Sequence, residues 1–167
     1  MRSISYMRTA MILIATLAAT AVSAAEITLD NVVAQMNVRR AAAGLPPLAA
    51  DERLCHAAED RMRDMEDQGY WAHISPDGRS PFEWLRPRGY IFAYAGENLA
   101  AGFETAEVLV DGWMESEGHR DNIMSPIYKD CGIAIIEGAT TGRATGRSIV
   151  VLFGRPMNPD PPLKAAR

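Results

Sequence analysis

The stretches CGIAIIEG (residues 131–138) and RSIVVLFG (residues 147–154) carry the strongest strand signals in the chain. Both are rich in β-branched and apolar residues, and ATTGRATG between them supplies glycines of the kind found in hairpin turns. The pattern predicts two antiparallel strands late in the chain.

The sequence before these strands has helical periodicity. Apolar residues recur at helical spacing in LDNVVAQMNVRRAAAG (residues 29–44), with Asp30 as the expected N-cap and Gly44 as the stop. A second helix is expected between Asp51, its N-cap, and Gly69, its C-terminal stop.

Two further helices are expected. Ser80-Pro81-Phe82-Glu83 has the pattern of a capping box with proline at the first helical position, and Thr105 can cap a fourth helix. Helices that cover a small, mostly antiparallel sheet predict a single-domain α/β protein of layered type.

The first residues resemble a secretory signal peptide. Arg2 and Arg8 precede an apolar run, and small residues allow cleavage after Ala24 or Ala25. The apolar run is shorter than the ~20 residues that cross a bilayer, so we expect no transmembrane anchor. The pattern predicts an exported protein, either periplasmic or secreted.

These signals divide the chain into a signal peptide at 1–25, a folded domain at 26–155 and a proline-rich tail at 156–167. Cleavage removes two of the 17 basic residues and none of the 21 acidic ones, which leaves a net charge of −6. An acidic chain argues against nucleic acid and anionic membrane surfaces as electrostatic partners.

The two cysteines, Cys55 and Cys131, form an even pair in a chain predicted to reach an oxidising compartment. That context favours one disulfide between them. The alternative is two buried free thiols, because cysteine is often simply a small core residue.

Two histidines and a glutamate lie in turn-forming contexts. His73 precedes SPDG, His119 follows Gly118, and Glu97 lies between Gly96 and Asn98. Imidazole and carboxylate groups are zinc ligands, and they can also act as a general acid and base without metal. Each histidine alone could instead be a hydrogen-bonded structural group. We interpret the third histidine, His56, as structural.

The chain resembles the CAP superfamily, which includes cysteine-rich secretory proteins, antigen 5 and pathogenesis-related protein 1. Five motifs carry the resemblance, in this order: GLPPL, RMRDMEDQGYWAHISPDGRSPFEWL, AGENLAAG, GWMESEGHRDNIMSP and CGIAI. They cover roughly residues 30–155 and are most similar to those of small bacterial exported members.

The resemblance implies an α-β-α sandwich with a central cleft that holds two histidines and two acids. In some members this cleft binds a divalent cation such as zinc. Carried over by motif, His73, Glu97 and His119 are three of the four cleft residues.

The fourth cleft residue is ambiguous. Relatives from animals and plants have an acid at the position of Ser116, and here Glu115 and Glu117 flank that position instead. If the helix persists through Gly118, Glu115 shares a face with His119 and is the better candidate. The alternative is that both glutamates belong to a solvated helix end.

Other polar residues of these motifs are interpreted as scaffold. We expect Asn98, Arg120 and Asn122 to bond loop backbone around the cleft. Arg120 could instead pair with an acid such as Asp77 or Glu97.

Three functions stay open at this point. The chain could be a module that binds a lipid or another small hydrophobic ligand, a metal-assisted hydrolase or protease, or a non-catalytic envelope scaffold. The sequence has no HExxH and no serine or cysteine in a nucleophile motif, which favours a non-enzymatic role. We expect an exported CAP-domain protein of undefined activity that weakly binds a divalent cation such as zinc.

Overall fold

The computed structural model describes residues 25–137 and 147–157. The predicted signal peptide up to Ala24, the hairpin turn at 138–146 and the proline-rich tail from residue 158 lie outside the described residues.

The described part of the chain contains four helices and four strands, in the order α1 (Leu29–Ala42), β1 (Ala49–Ala50), α2 (Glu52–Gln68), β2 (Phe92–Phe103), α3 (Ala106–Glu115), α4 (Glu117–Met124), β3 (Asp130–Ile136) and β4 (Arg147–Pro156). Two 3₁₀ helices, Pro81–Trp84 and Arg86–Arg88, lie between α2 and β2.

The strands form one sheet in the order β1-β3-β4-β2. β3 and β4 are antiparallel with Cys131 opposite Phe153, as predicted. β2 is antiparallel to β4 with Glu97 opposite Leu152, and only the short β1 runs parallel to its neighbour among the described strands. The predicted α/β fold class with a mostly antiparallel sheet is confirmed.

Helices cover both faces of this sheet. Side chains alternate along β4, so that Val151 packs in the core beneath α1, α3 and α4, and Val150 packs in the core beneath α2. Trp113 of α3 and Met62 of α2 are buried in these two cores. The arrangement is the α-β-α sandwich that the resemblance implies.

Helix boundaries agree with the sequence signals except at α1. Asp51 and Thr105 cap α2 and α3, and Gly69 ends α2 in the left-handed conformation. The predicted N-cap Asp30 is wrong, because the Thr28 side chain accepts the hydrogen bond from the Asn31 N–H instead.

Strand β2 was not expected from the sequence. The segment AGENLAAG has strong turn signals, yet it forms the middle of a 12-residue strand. Gly96 is needed there for a packing reason, since a Cβ at that position would lie 2.7 Å from the Asn122 Oδ1 and the Tyr128 hydroxyl. The glycine admits close side chains and does not form a turn.

Side chains cover the outer edge of β2. The backbone carbonyls of Ala95 and Glu97 accept hydrogen bonds from the Tyr128 hydroxyl at 3.0 Å and the Asn122 Nδ2 at 3.1 Å. The Trp113 Nε1 donates to the Leu99 carbonyl at 3.2 Å. Polar groups that a neighbouring strand would otherwise pair are thus bonded within the domain.

The structure does not contain the predicted disulfide, and Cys55 and Cys131 are both free cysteines. Cys131 is buried in the core beneath α1, α3 and α4, whereas Cys55 lies on α2, which covers the opposite face. Burial raises the pKa of the Cys131 thiol to about 12, so that thiol stays protonated at neutral pH.

Among the described residues, no helix carries an apolar stretch of the length that spans a bilayer.

Candidate functional site

Glu97 is the centre of the candidate site. It lies in β2, and only 1% of its side chain is exposed. One carboxylate oxygen is 2.7 Å from His73 Nδ1, and the other accepts a hydrogen bond from Arg61 Nε at 3.1 Å. A buried carboxylate needs such partners, because an isolated charge is costly away from water.

Arg61 connects this carboxylate to the loop that carries His73. Its guanidinium is fully buried and donates to the backbone carbonyls of Ala72 at 2.5 Å and His73 at 2.8 Å. It also donates to the Tyr70 hydroxyl. A single side chain of α2 therefore positions both the acid and the histidine.

An aromatic ring packs against the same guanidinium. The Trp84 ring lies 4.9 Å from the Arg61 guanidinium carbon and 4.8 Å from that of Arg79. Cations at this distance are attracted to the ring face, so Trp84 stabilises both arginines.

The sequence interpretation did not identify Arg61, although a signal was present. Leu54, Ala57, Ala58 and Met65 mark the buried face of α2, and Arg61 falls on that face at helical spacing. A cation on an apolar helix face indicates a buried partner acid.

His119 lies on α4, on the other side of the β2 edge. Asn98 is fully buried and donates to the His119 carbonyl at 3.1 Å, and its own oxygen accepts from Asn122 at 2.8 Å. Asn122 also donates to the Glu97 carbonyl at 3.1 Å. Both asparagines bond backbone, as predicted, but the carbonyls belong to α4 and β2 and not to loops.

The two histidine rings have opposite pKa shifts. The hydrogen bond to Glu97 raises the pKa of His73, against the effect of partial burial. Burial lowers the pKa of His119, and the charge of His73 lowers it further.

The fourth predicted cleft residue is not brought into the site. The backbone at Ser116 is extended, with φ −97° and ψ 121°, and it separates α3 from α4. The helix therefore does not persist through Gly118, and the geometric reason for preferring Glu115 is removed. Glu115 and Glu117 are both exposed.

Arg120 and Asp77 have partners other than those considered from the sequence. Arg120 donates to the Met114 carbonyl at 3.3 Å, and Asp77 pairs with Arg79 at 2.9 Å. Arg120 therefore bonds backbone, as the scaffold interpretation predicts, and the alternative pairing with Asp77 or Glu97 is wrong.

Metal-ligating groups in the described ranges do not converge in sets of three or more histidine, cysteine, aspartate or glutamate side chains. His56, on α2, is outside the site. Among the described residues, the groups bonded to the Glu97 carboxylate are thus His73 on one oxygen and Arg61 on the other.

A cavity of about 360 Å³ lies beside His73 and is lined by His73, Ile74, Ser80, Pro81, Phe82, Ala95, Gly96, Glu97 and Asn122. Ile74 leaves 55% of its surface exposed there. The site therefore combines an oriented imidazole with an apolar wall.

The cysteine-rich secretory protein family, CAP, matches this chain over residues 33–152. The chain belongs to this family.

Two relatives come from Bacillus subtilis (strain 168). The chain is 40% identical to the uncharacterized protein YkwD over 110 residues, which are 66% of this chain and 43% of YkwD. It is 31% identical to the uncharacterized membrane protein YlbC over 99 residues, which are 59% of this chain and 29% of YlbC. The chain thus spans less than half the length of both relatives.

Solved structures share the fold. An extracellular protein with an SCP domain from Bacillus anthracis str. Ames has a TM-score of 0.64 and 27% identity, over 75% of this chain and 39% of that protein. An outer surface protein from Borrelia burgdorferi has a TM-score of 0.66 and 20% identity, over 80% of this chain and 99% of that protein.

Proposed function

We propose that this chain is an exported ligand-binding module in which His73 and His119 bind a divalent cation. The observation that carries the proposal is the 2.7 Å bond between His73 Nδ1 and Glu97. If Nδ1 donates its proton to the carboxylate, Nε2 is left with its lone pair available to a cation.

In this proposal Glu97 orients a ligand and is not itself a ligand. Its oxygens are held by His73 and Arg61, so removing one for a cation would break a buried charged bond. With two ligands from the chain, the remaining positions of a tetrahedral cation would go to water or to an external group. We therefore expect weak binding.

The neighbouring cavity supports a second element of the proposal, a small hydrophobic ligand or lipid chain. Ile74, Pro81 and Phe82 provide an apolar wall beside His73. A molecule seated there could complete the coordination of the cation with one polar atom. Export is supported by the signal-like start of the chain, with Arg2 and Arg8 before an apolar run.

Zinc titration by calorimetry tests the cation site. The protein from residue 26 onward is compared with the His73→Ala/His119→Ala double variant, with His56→Ala as the control outside the site. We expect binding with a dissociation constant of about 1–100 μM in the parent protein and in His56→Ala, and loss of binding in the double variant. Equal zinc binding by the double variant would refute the site.

Glu97→Gln separates orientation from ligation. If Glu97 only orients His73, the variant should bind zinc about 10-fold to 100-fold more weakly and still bind it with one-to-one stoichiometry. Circular dichroism confirms that the variant is folded before titration. Complete loss of binding in folded Glu97→Gln would make Glu97 a direct ligand.

A further inference from the structure

A second and larger cavity lies away from the histidines, where β2 begins and β4 ends. Its volume is about 510 Å³, and residues from all four strands or their immediate ends line it, including Lys129, Asp130 and Arg155. Its chemistry differs from that of the cavity beside His73, because most of its polar groups are charged.

The acids of this second cavity are already engaged. Asp51 accepts two hydrogen bonds from the Arg53 side chain, at 3.1 and 2.7 Å, while it caps α2. Asp130 accepts a hydrogen bond from the Tyr90 hydroxyl at 2.7 Å, and burial raises its pKa. Neither carboxylate is an open binding site for a cation.

The contact between Tyr90 and Asp130 is built into the sheet. Tyr90 is fully buried, and its ring crosses β4 at Gly154, where any Cβ would collide with the ring and its hydroxyl. Gly154 lies opposite Asp130 in the sheet register, so the glycine lets the hydroxyl reach the carboxylate. The Asp130 carboxylate in the cavity wall is therefore held in one position.

Cations outnumber carboxylates around this cavity by one, with Arg53, Lys129 and Arg155 against Asp51 and Asp130. Lys129 and Arg155 are exposed, and within the described ranges neither side chain forms an ion pair. Both line the cavity, together with Arg53, which pairs with Asp51. The local charge is thus positive in a protein whose whole-chain formal charge is −4.

Apolar surface adjoins these two cations. Tyr94 lies opposite Arg155 in the sheet and is 53% exposed, and Met157 is 55% exposed. An exposed aromatic ring and thioether beside two cations match a ligand with an anionic head and an apolar body.

We propose that this cavity binds a small organic anion, with a carboxylate or phosphate head between Lys129 and Arg155 and an apolar group against Tyr94 and Met157. The site is separate from the proposed cation site and does not depend on it. Lys129 acts on the neighbouring Asp130 and lowers its pKa, but Asp130 keeps its hydrogen bond from Tyr90 when Lys129 is replaced, so we expect the fold to tolerate replacement of both cations.

The test is a titration of the full mature protein with phenyl phosphate, followed by amide NMR shifts. We expect saturable shifts at Tyr94, Lys129 and Met157, and binding about tenfold weaker in Lys129→Gln/Arg155→Gln. The control is Arg39→Gln/Arg63→Gln, which removes the same charge elsewhere and should bind like the parent. Binding unchanged by the cavity variant, or no saturation by about 10 mM, would overturn the proposal.

Further probes distinguish the parts of the ligand. Benzoate, titrated beside phenyl phosphate, compares the affinity of the site for the two anionic heads. Inorganic phosphate alone should bind about tenfold more weakly than phenyl phosphate, because it lacks an apolar group. Equal affinity for inorganic phosphate would overturn the role of Tyr94 and Met157.

Discussion

Arg40 and Arg61 are both fully buried, one on each side of the sheet, yet they are neutralised in different ways. Arg61 has a carboxylate partner, Glu97, and touches the loop of His73. The Arg40 guanidinium bonds only backbone carbonyls among its described partners, including Ile123 at 2.7 Å and Ser125 at 2.8 Å.

The difference separates a buried arginine that holds helices together from one that also holds the residues of the candidate site. Arg40 fastens α1 to the C-terminal end of α4, where carbonyls lack helical partners and carry partial negative charge. Its burial is not offset by an acid, and desolvation lowers its pKa. Arg61 instead compensates the one buried carboxylate of the candidate site and also bonds the loop that carries His73.

Breaking the Arg61 pair should have the largest effect. Arg61→Met leaves the Glu97 carboxylate buried without a cation, and we expect a loss of about 3–5 kcal/mol in the free energy of unfolding. Urea denaturation measures it. In Arg61→Met/Glu97→Gln the uncompensated charge is gone, and we expect about 1–3 kcal/mol to return. A double variant as unstable as Arg61→Met would contradict the charge-pair interpretation.

Arg40→Met should have a smaller effect of a different kind. The substitution leaves the Ile123 and Ser125 carbonyls without their donor, but it also removes a buried charge that has no acid partner. We expect a loss of about 2–3 kcal/mol, measured in the same way. Combination with Glu97→Gln should be additive, because the two residues belong to separate networks. A coupling energy between Arg40→Met and Glu97→Gln as large as that between Arg61→Met and Glu97→Gln would contradict the assignment of the two arginines to separate networks.

The histidines give the smallest expected effect, through pH. His73 has a raised pKa when folded, so its contribution to stability is present below its ordinary pKa of 6.5 and is lost as pH rises through the raised value. His73→Ala in a chelator-containing buffer should therefore cost more at about pH 6 than at about pH 9, by about 0.5 kcal/mol, since the ring is solvent-screened.

His119 provides the opposite sign. Its pKa is lowered when folded, so protonation opposes folding below that value, and the penalty disappears above 6.5. His119→Ala should thus be tolerated better at low pH than at high pH. Parallel pH trends for the two variants in urea denaturation would contradict the assignment of opposite environments.

Local sequence signals predicted a layered α/β protein because the strongest of them agree with the packing, and the family resemblance implied the α-β-α sandwich. Ile149 and Val151 have the β-branched pattern of a core strand, and Asp51 and Gly69 mark the ends of α2. The β2 strand could not be predicted from local signals, because glycine, alanine and asparagine have low strand propensity. Its pairing with β4 and the donors from Tyr128 and Asn122 stabilise it.

Sequence motifs predicted only part of the candidate site. The motifs named His73, Glu97 and His119, and the structure brings His73 into contact with Glu97. The Arg61 pair joins residues 36 positions apart, a separation that local spacing does not encode. The helix break at Ser116 was also not predicted, because no proline near this position indicates the end of a helix.

The covered edge of β2 has a consequence for how copies of the chain behave together. An exposed edge strand is a template for intermolecular pairing and aggregation. Here the outward carbonyls of Ala95, Glu97 and Leu99 are already bonded by side chains of the same molecule. A second chain that approaches this edge would have to displace those donors before it could add a strand. The donors from Tyr128, Asn122 and Trp113 therefore also oppose strand addition at this edge.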